Sequence, residues 1–205
     1  IFELVCNAFI KKNDEVIVPK YSFIIYRIYS KIKGAKIIFA KEKNFTVSVK
    51  DILSKVTRRT KVVFLANPNN PTGTFISRKE VIRLHESIPK NVLFVYDAAY
   101  SEFVINDDYI DGSELADKYE NVIMLRTFSK LHGLASLRLG WGYASEHIVE
   151  NLMKVRGPFS VNSAAIIAGI AALEDLNFQK KSIQHNLKWM SWFEKELKAL
   201  NLDFQ

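Results

Sequence analysis

Three apolar runs of strand length, each ending in polar residues, restrict the folds open to this chain more than any other feature. They are Val62–Ala66, Val92–Tyr96 and Val122–Leu125, and continuous apolar strands suit a parallel sheet covered on both faces. Helical segments separate them, one beginning at the capping box Ser77-Arg78-Lys79-Glu80. This alternation predicts an α/β fold.

The polar residues after these runs are expected to meet at one edge of the sheet. Asn70, Asp97 and Lys130 follow the first, second and third run respectively. In open α/β sheets ligands bind outside the carboxyl ends of the strands. The three side chains are therefore predicted to converge on one site, although they are far apart in sequence.

The stretch after the third run has the residues of a phosphate pocket beside an amine. Thr127 and Ser129 offer hydroxyl donors, and Arg138 offers a planar fork that can grip two phosphate oxygens. A lysine that bonds to an aldehyde must first lose its proton, which desolvation and neighbouring cations favour. Lys130 therefore suggests, with these residues, a pyridoxal-phosphate site.

The second run ends in a carboxylate that fits the same cofactor. Asp97 could hold a pyridine nitrogen protonated, so that the ring acts as an electron sink. Asn70 and Tyr100 could donate to the phenolic oxygen of the ring, and Tyr21 could lie flat on it. An aspartate that merely caps the next turn is the simpler alternative for Asp97.

Three motifs in this order resemble the fold-type I pyridoxal-phosphate aminotransferases, and most closely their histidinol-phosphate branch. They are Asn69-Asn70-Pro71-Thr72-Gly73, Asp97-Ala98-Ala99-Tyr100, and Ser129-Lys130 with Arg138. The likeness extends over essentially all 205 residues, including Arg156–Ser163. Ala98 stands where many relatives have glutamate, and Ser160 replaces a common asparagine.

The resemblance implies roles for the candidate residues. Lys130 would be the Schiff-base lysine and the proton shuttle, and Asp97 would pair with the pyridine nitrogen. Asn70 and Tyr100 would bind the phenolic oxygen, and Tyr21 would stack on the ring face. The phosphate would be bound by Thr127, Ser129 and Arg138. The implied reaction moves an amino group between histidinol phosphate and glutamate, with imidazole-acetol phosphate and 2-oxoglutarate as the keto partners.

The resemblance also implies a domain organisation. The fold would be a truncated three-layer sandwich with a mostly parallel sheet, and residues 1–175 would form the cofactor-binding large domain, incomplete at its amino end. Residues 176–205 would be a connecting helix leading into a small domain outside the chain. A homodimer is implied, and this segment alone is expected to be weakly active or inactive.

Composition favours a soluble, cytoplasmic protein that acts on small molecules. The chain is 48% hydrophobic and 25% charged, has no apolar run long enough for a bilayer, and has no signal segment. Its net charge of +7 comes from scattered cations, which argues against a nucleic-acid partner. Cys6 is expected to be a buried thiol, and the four histidines lack metal-ligand spacing, so no metal is predicted.

Other functions remain open on the same residues. An aromatic amino-acid aminotransferase or a threonine-phosphate decarboxylase would keep the same cofactor contacts, because those contacts do not select the substrate. A non-catalytic module that senses pyridoxal phosphate for a transcription regulator is a different class, but it would need a DNA-binding domain upstream.

The carboxyl-terminal third is expected to be helical. Residues 163–173 are apolar all round, which predicts a buried helix. A long helix is predicted from Asn177 to Leu200, with Trp189 and Trp192 packed in a core or against another subunit.

Overall fold

A six-stranded sheet forms the centre of the computed structural model, which describes residues 1–204. The order of its strands is β2-β1-β5-β6-β7-β8, and all neighbours are parallel except β7 and β8. Two short strands, β3 and β4, form a separate hairpin. The strands are β1 Glu15–Pro19, β2 Lys36–Ala40, β3 Glu42–Lys43, β4 Thr46–Val47, β5 Thr60–Ala66, β6 Leu93–Asp97, β7 Val122–Thr127 and β8 Gly140–Ala144.

Eight α-helices accompany the sheet within residues 1–204. They are α1 Phe2–Phe9, α2 Ile24–Ile32, α3 Val49–Lys55, α4 Arg78–Ser87, α5 Ser113–Lys118, α6 Glu146–Val155, α7 Ser163–Glu174 and α8 Leu176–Ala199. Short 3₁₀ turns occupy Ser101–Phe103 and Ala135–Leu137. The predicted α/β fold with a mostly parallel sheet is confirmed.

Helices cover both faces of the sheet, which gives three layers. Residues of α3, α4 and α5 pack with Val63, Phe94 and Met124 on one face. Residues of α1, α2 and α6 pack with Phe64 and Val95 on the other. Because alternate strand residues point to opposite faces, each apolar run serves both layers, which is why these runs lack polar alternation.

Side-chain caps fix the start of several helices. The Ser48 hydroxyl accepts from the Asp51 amide at the start of α3, and the Ser77 hydroxyl accepts from the Glu80 amide at the start of α4. Ser145 precedes α6 but makes no such cap, since its hydroxyl donates to the Glu120 carbonyl. A serine thus precedes all three helices, but its side chain caps only α3 and α4.

The two carboxyl-terminal helices are less buried than their sequence predicts. In α7 only Ala165 and Gly169 are buried, whereas Ile167 is 71% exposed. An apolar helix is buried only where neighbours cover it, and the described residues cover α7 on the side that faces Phe128 and Leu139. The prediction of an all-round buried helix is therefore wrong for this chain.

The predicted core position of the α8 tryptophans is also wrong. Trp189 and Trp192 are 40% and 46% exposed, and they contact each other with ring centroids 5.5 Å apart. No residue of α8 is buried within the described part of the chain. Their alternative role in subunit packing remains a prediction.

Candidate active site

Four neighbouring parallel strands bring the candidate residues to one edge of the sheet. The chain leaves β1, β5, β6 and β7 at their carboxyl ends, where polar residues follow each strand. The residues at this edge are Tyr21 after β1, Asn70 after β5, Asp97 and Tyr100 at and after β6, and Thr127, Ser129 and Lys130 at and after β7. The parallel pairing that defines the fold therefore also assembles the site.

Asp97 is the buried anion of this edge. It is the last residue of β6 and only 8% exposed, and it shares the sheet face of Val95. Its Oδ1 accepts from the Ala99 amide at 3.1 Å, and its Oδ2 accepts from the Tyr26 hydroxyl. The turn-capping alternative is therefore partly correct, since one oxygen does bind the following turn.

The Asp97 carboxyl is buried without an ion-pair partner among the described residues. Burial raises the pKa of its carboxyl above the usual value, and this outweighs the Tyr26 hydroxyl, the Ala99 amide and the charge of Lys130, which all act to lower it. Among residues 1–204, none forms an ion pair with Asp97. A buried carboxylate with no cation is costly, so this position favours a positively charged ligand atom.

Tyr26 is the residue of the site that the sequence did not predict. It lies in α2, is fully buried, and its ring stacks on Phe64 with centroids 4.8 Å apart and planes 3° apart. One signal was present: a tyrosine on the apolar face of a helix must find a hydrogen-bond partner when buried. Asp97 is that partner.

Lys130, Tyr100 and Asn70 form a cluster at the same edge of the sheet. The Lys130 ammonium is 5.1 Å from the centroid of the Tyr100 ring. The Asn70 amide donates from Nδ2 to the Tyr100 hydroxyl at 3.2 Å. Residues from three different strand ends thus form one cluster, with an amine above a phenol and an amide that retains a second N–H.

Thr127, Ser129 and Arg138 form a second cluster immediately around Lys130 in sequence. The Ser129 amide donates to Thr127 Oγ1 at 3.1 Å, and Arg138 Nη1 donates to Ser129 Oγ at 3.4 Å and to the Ala135 carbonyl. Arg138 is exposed and forms no ion pair among the described residues. Hydroxyls next to a guanidinium are suitable ligands for a phosphate.

Tyr21 lies at the same edge but is held mainly through its backbone. Its carbonyl accepts from Asn69 Nδ2 at 2.8 Å, and its amide donates to Glu42 Oε1 at 2.6 Å. Its ring is 44% exposed and lies 5.9 Å from the Phe45 ring. Asn69, which is buried, therefore couples Tyr21 to the loop that carries Asn70.

An arginine that the sequence reasoning did not single out ties β7 to the turn after Tyr100. Arg126 pairs with Glu102 at 2.6 Å and with Asp111 at 3.2 Å, and it is largely buried. Burial acts to raise the pKa of Asp111, but hydrogen bonds from Ser113 and the Arg126 charge hold it below the usual value. The network fixes the segment that presents Tyr100.

Residues 1–204 contain neither a candidate membrane-spanning helix nor a candidate metal cluster. No helix there combines the length and apolarity needed to cross a membrane. No group of three or more histidine, cysteine, aspartate or glutamate residues is arranged to hold a metal ion.

Comparison with known proteins identifies a family match over nearly the whole chain. The family model described as aminotransferase class I and II matches residues 2–203. The chain is 48% identical to the histidinol-phosphate aminotransferase of Pelagibacter ubique (strain HTCC1062), over 98% of this chain and 56% of that protein. The chain thus spans about half the length of the curated relatives that it matches.

Solved structures agree with the sequence comparison. A putative histidinol-phosphate aminotransferase from Erwinia carotovora atroseptica superposes with a TM-score of 0.93 at 26% identity, covering 98% of this chain and 60% of that one. The histidinol-phosphate aminotransferase of Sinorhizobium meliloti, solved in complex with pyridoxal 5'-phosphate, superposes with a TM-score of 0.84 at 26% identity. The match covers 89% of this chain and 50% of that one.

Proposed function

Because the chain belongs to the aminotransferase class I and II family, we propose that its full-length protein is a pyridoxal-phosphate-dependent histidinol-phosphate aminotransferase. The reaction would convert histidinol phosphate and 2-oxoglutarate to imidazole-acetol phosphate and glutamate. The 48% identity to the Pelagibacter ubique enzyme supports this substrate. The observation that carries the proposal is the buried Asp97 without a cation, at the edge where Lys130 and the Arg138 cluster also lie.

The residues at this edge fit the cofactor group by group. Asp97 offers a carboxylate for a cationic ring nitrogen, since no residue among 1–204 forms an ion pair with it. Asn70 and Tyr100 offer N–H and O–H donors for the phenolic oxygen. The phosphate would be bound by Thr127, Ser129 and Arg138.

Each group has a defined part in the proposed reaction. Pyridoxal phosphate, when bound, supplies an aldehyde that reacts with amines and a ring that withdraws electrons. Asp97 would keep a proton on the ring nitrogen, and Tyr21 would cover the ring face at the open side of the site. Lys130 Nζ would hold the aldehyde carbon in the resting protein and then move a proton to and from the α-carbon of the substrate.

The proposal extends to organisation. Residues 1–175 would form the cofactor-binding large domain, and residues 176–205, which include α8, would connect it to a small domain. The protein would be a cytoplasmic homodimer acting on small amino and keto compounds. These inferences rest on the family likeness, and the mass of the full-length protein in solution tests the dimer.

A spectroscopic experiment tests cofactor and lysine together. The purified full-length protein is mixed with pyridoxal phosphate and scanned in the near ultraviolet and blue, before and after borohydride. An absorption band is expected in the natural protein, and borohydride is expected to attach the cofactor covalently to the protein. The same result is expected in Lys154→Ala, a control at an exposed lysine whose ammonium donates to Asn151. The band is expected to vanish in Lys130→Ala.

The same samples test the substrate. Histidinol phosphate is expected to discharge the band, and 2-oxoglutarate to restore it. The absence of a band in the natural protein would overturn the cofactor assignment. Covalent attachment of the cofactor in Lys130→Ala would overturn the assignment of Lys130 as the residue that bonds to the aldehyde. A response to phenylalanine but not to histidinol phosphate would keep the cofactor and replace the substrate.

A further inference from the structure

The Asp97 carboxylate receives a hydrogen bond from a helix on one face of the sheet, and not only from its own turn. The donor is the Tyr26 hydroxyl of α2. We propose that Tyr26 is a positioning residue for the cofactor, because its hydroxyl fixes the orientation of the Asp97 carboxylate and stabilises its charge for pairing with the ring nitrogen. The inference rests on the proposed function and assigns a new role within it.

Both carboxylate oxygens are engaged from inside the protein. Oδ1 accepts from the Ala99 amide at 3.1 Å and Oδ2 accepts from Tyr26. Donors on both oxygens prevent the group from rotating about its last side-chain bond. An ionised carboxylate has acceptor sites beyond these two, so Asp97 can still bind a third donor in one fixed direction.

The hydroxyl can only act in this way if the tyrosine ring is itself immobile, and its packing meets that condition. The ring stacks on Phe64 at 4.8 Å and meets Phe2 and Phe23 edge-on at 5.0 and 5.8 Å. Tyr26 has no exposed surface. Three aromatic neighbours therefore hold the ring, and the hydroxyl is its only polar atom.

The hydroxyl remains a donor at every working pH. Burial, and then the Asp97 charge, raise the pKa of Tyr26 well above its usual value. Tyr26 therefore keeps its proton and cannot serve as a base. Its hydrogen bond acts against the burial that disfavours the Asp97 charge, which is the direction that pairing with a cationic nitrogen requires.

Tyr26→Phe removes the hydroxyl and keeps the ring in its aromatic surroundings. In the full-length protein we expect this variant to bind pyridoxal phosphate about 10-fold more weakly, as for the loss of a hydrogen bond to a charged group. The decisive probe is 1-deazapyridoxal phosphate, in which a C–H replaces the ring nitrogen. Its affinity is expected to be the same in both proteins, since it cannot pair with Asp97.

A matched control separates positioning from general packing. Tyr96→Phe removes another buried hydroxyl, one that donates to the Ile110 carbonyl and accepts from Asn67. This variant is expected to lose stability, while the ratio of its affinities for the two cofactors stays that of the natural protein. The double variant Tyr26→Phe/Asp97→Asn is expected to bind pyridoxal phosphate as Asp97→Asn alone does.

The outcomes distinguish this inference from the proposed function. If Tyr26→Phe weakens both cofactors equally, or neither, Tyr26 is only a packing residue and the inference is overturned. An additional loss in the double variant relative to Asp97→Asn would overturn it as well. If the natural protein binds no pyridoxal phosphate at all, the proposed function fails first and the inference fails with it.

Discussion

Replacing Asp97 with asparagine is expected to stabilise the cofactor-free protein while weakening its hold on the cofactor. The side chain is 8% exposed and has no ion-pair partner among residues 1–204. Asparagine has the same shape, and its oxygen can still accept from the Ala99 amide. Its Nδ2 can donate to the Tyr26 oxygen, but the Tyr26 hydroxyl proton then loses its acceptor.

The magnitude follows from two opposing effects. A buried ion still costs several kcal/mol after the protein relaxes around it. The hydrogen bond from the Ala99 amide loses about 1 kcal/mol when its acceptor becomes neutral, and the Tyr26 hydroxyl left without an acceptor costs about 1–3 kcal/mol more. Since burial prevails in the pKa of Asp97, the balance should favour asparagine by about 1–2 kcal/mol. In the full-length protein, whose relatives are nearly twice as long as this chain, that corresponds to an increase of about 1–3 °C in Tm.

The pH dependence of stability provides a second test of the cost of burying the Asp97 charge. The folded pKa of Asp97 is raised, so between the unfolded and the folded pKa the folded state binds more protons. Stability then falls as pH rises through this window, and the full cost is present above it. Asp97→Asn should remove this slope, so its advantage over the natural protein should grow as pH rises through the window and disappear below it.

Calorimetry and cofactor titration on the same full-length samples provide the assay. Asp97→Asn should bind pyridoxal phosphate about 10- to 150-fold more weakly, since a charge-assisted hydrogen bond is lost. The control Asp111→Asn should instead lower Tm, because the pKa of Asp111 is depressed by Ser113 and Arg126. A cofactor-free Asp97→Asn that melts at or below the natural protein would refute the reasoning.

Two further predictions concern stability. Glu15→Gln should destabilise the protein by about 1–3 kcal/mol at neutral pH, as measured by urea unfolding. The reason is that hydrogen bonds from the Thr57 hydroxyl and then from Arg59 lower the pKa of Glu15 despite its burial. The stability that Glu15 contributes is present above the pKa of the unfolded state and is lost as pH falls through the pKa of the folded state. If stability fell with acid in the variant as it does in the natural protein, this prediction would be contradicted. Gly112→Ala should cost about 2–4 kcal/mol, since φ is +88° and a Cβ would lie 2.6 Å from the Tyr96 ring; an unaltered urea midpoint would exclude the clash.

The sequence predicted the part of the fold that depends on local patterns. Apolar runs of strand length, followed by polar residues, were enough to place β5, β6 and β7, because a parallel strand covered on both faces leaves a continuous apolar signal. The antiparallel strand β8 was not predicted. Its sequence Gly140-Trp141-Gly142-Tyr143-Ala144 is half-exposed and rich in glycine, so it lacks that signal.

Burial of the last two helices could not be predicted, because composition reports what a helix would bury and not what is available to cover it. Ile166 and Ile170 in α7 are 51% and 56% exposed, although their helix is apolar on every side. Gly169 is buried because its missing side chain admits Leu139 and Phe128. Which face of such a helix is covered depends on contacts with distant residues.

The candidate site was predictable where its members follow strands and not where they lie on a helix. Asp97 and Thr127 follow Val95 and Leu125 by two residues on their strands, so strand alternation directs them to the same sheet face as α2. No short-range pattern connects Tyr26 to Asp97, 71 residues away. Only the parallel crossing from β1 through α2 brings them together.

Helix α2 therefore has a larger part in the proposed site than its sequence suggests. Tyr21 lies three residues before its first residue, and Tyr26 is in its first turn. On the proposed function, one residue covers the ring face and the other fixes the acid that holds the ring nitrogen. A shift of this helix along the sheet would disturb both contacts at once, whereas Lys130 and Arg138, which follow β7, would be unaffected. The aromatic packing of Tyr26 against Phe64 opposes such a shift, so on the proposed function the apolar core on this face of the sheet would help to orient the cofactor.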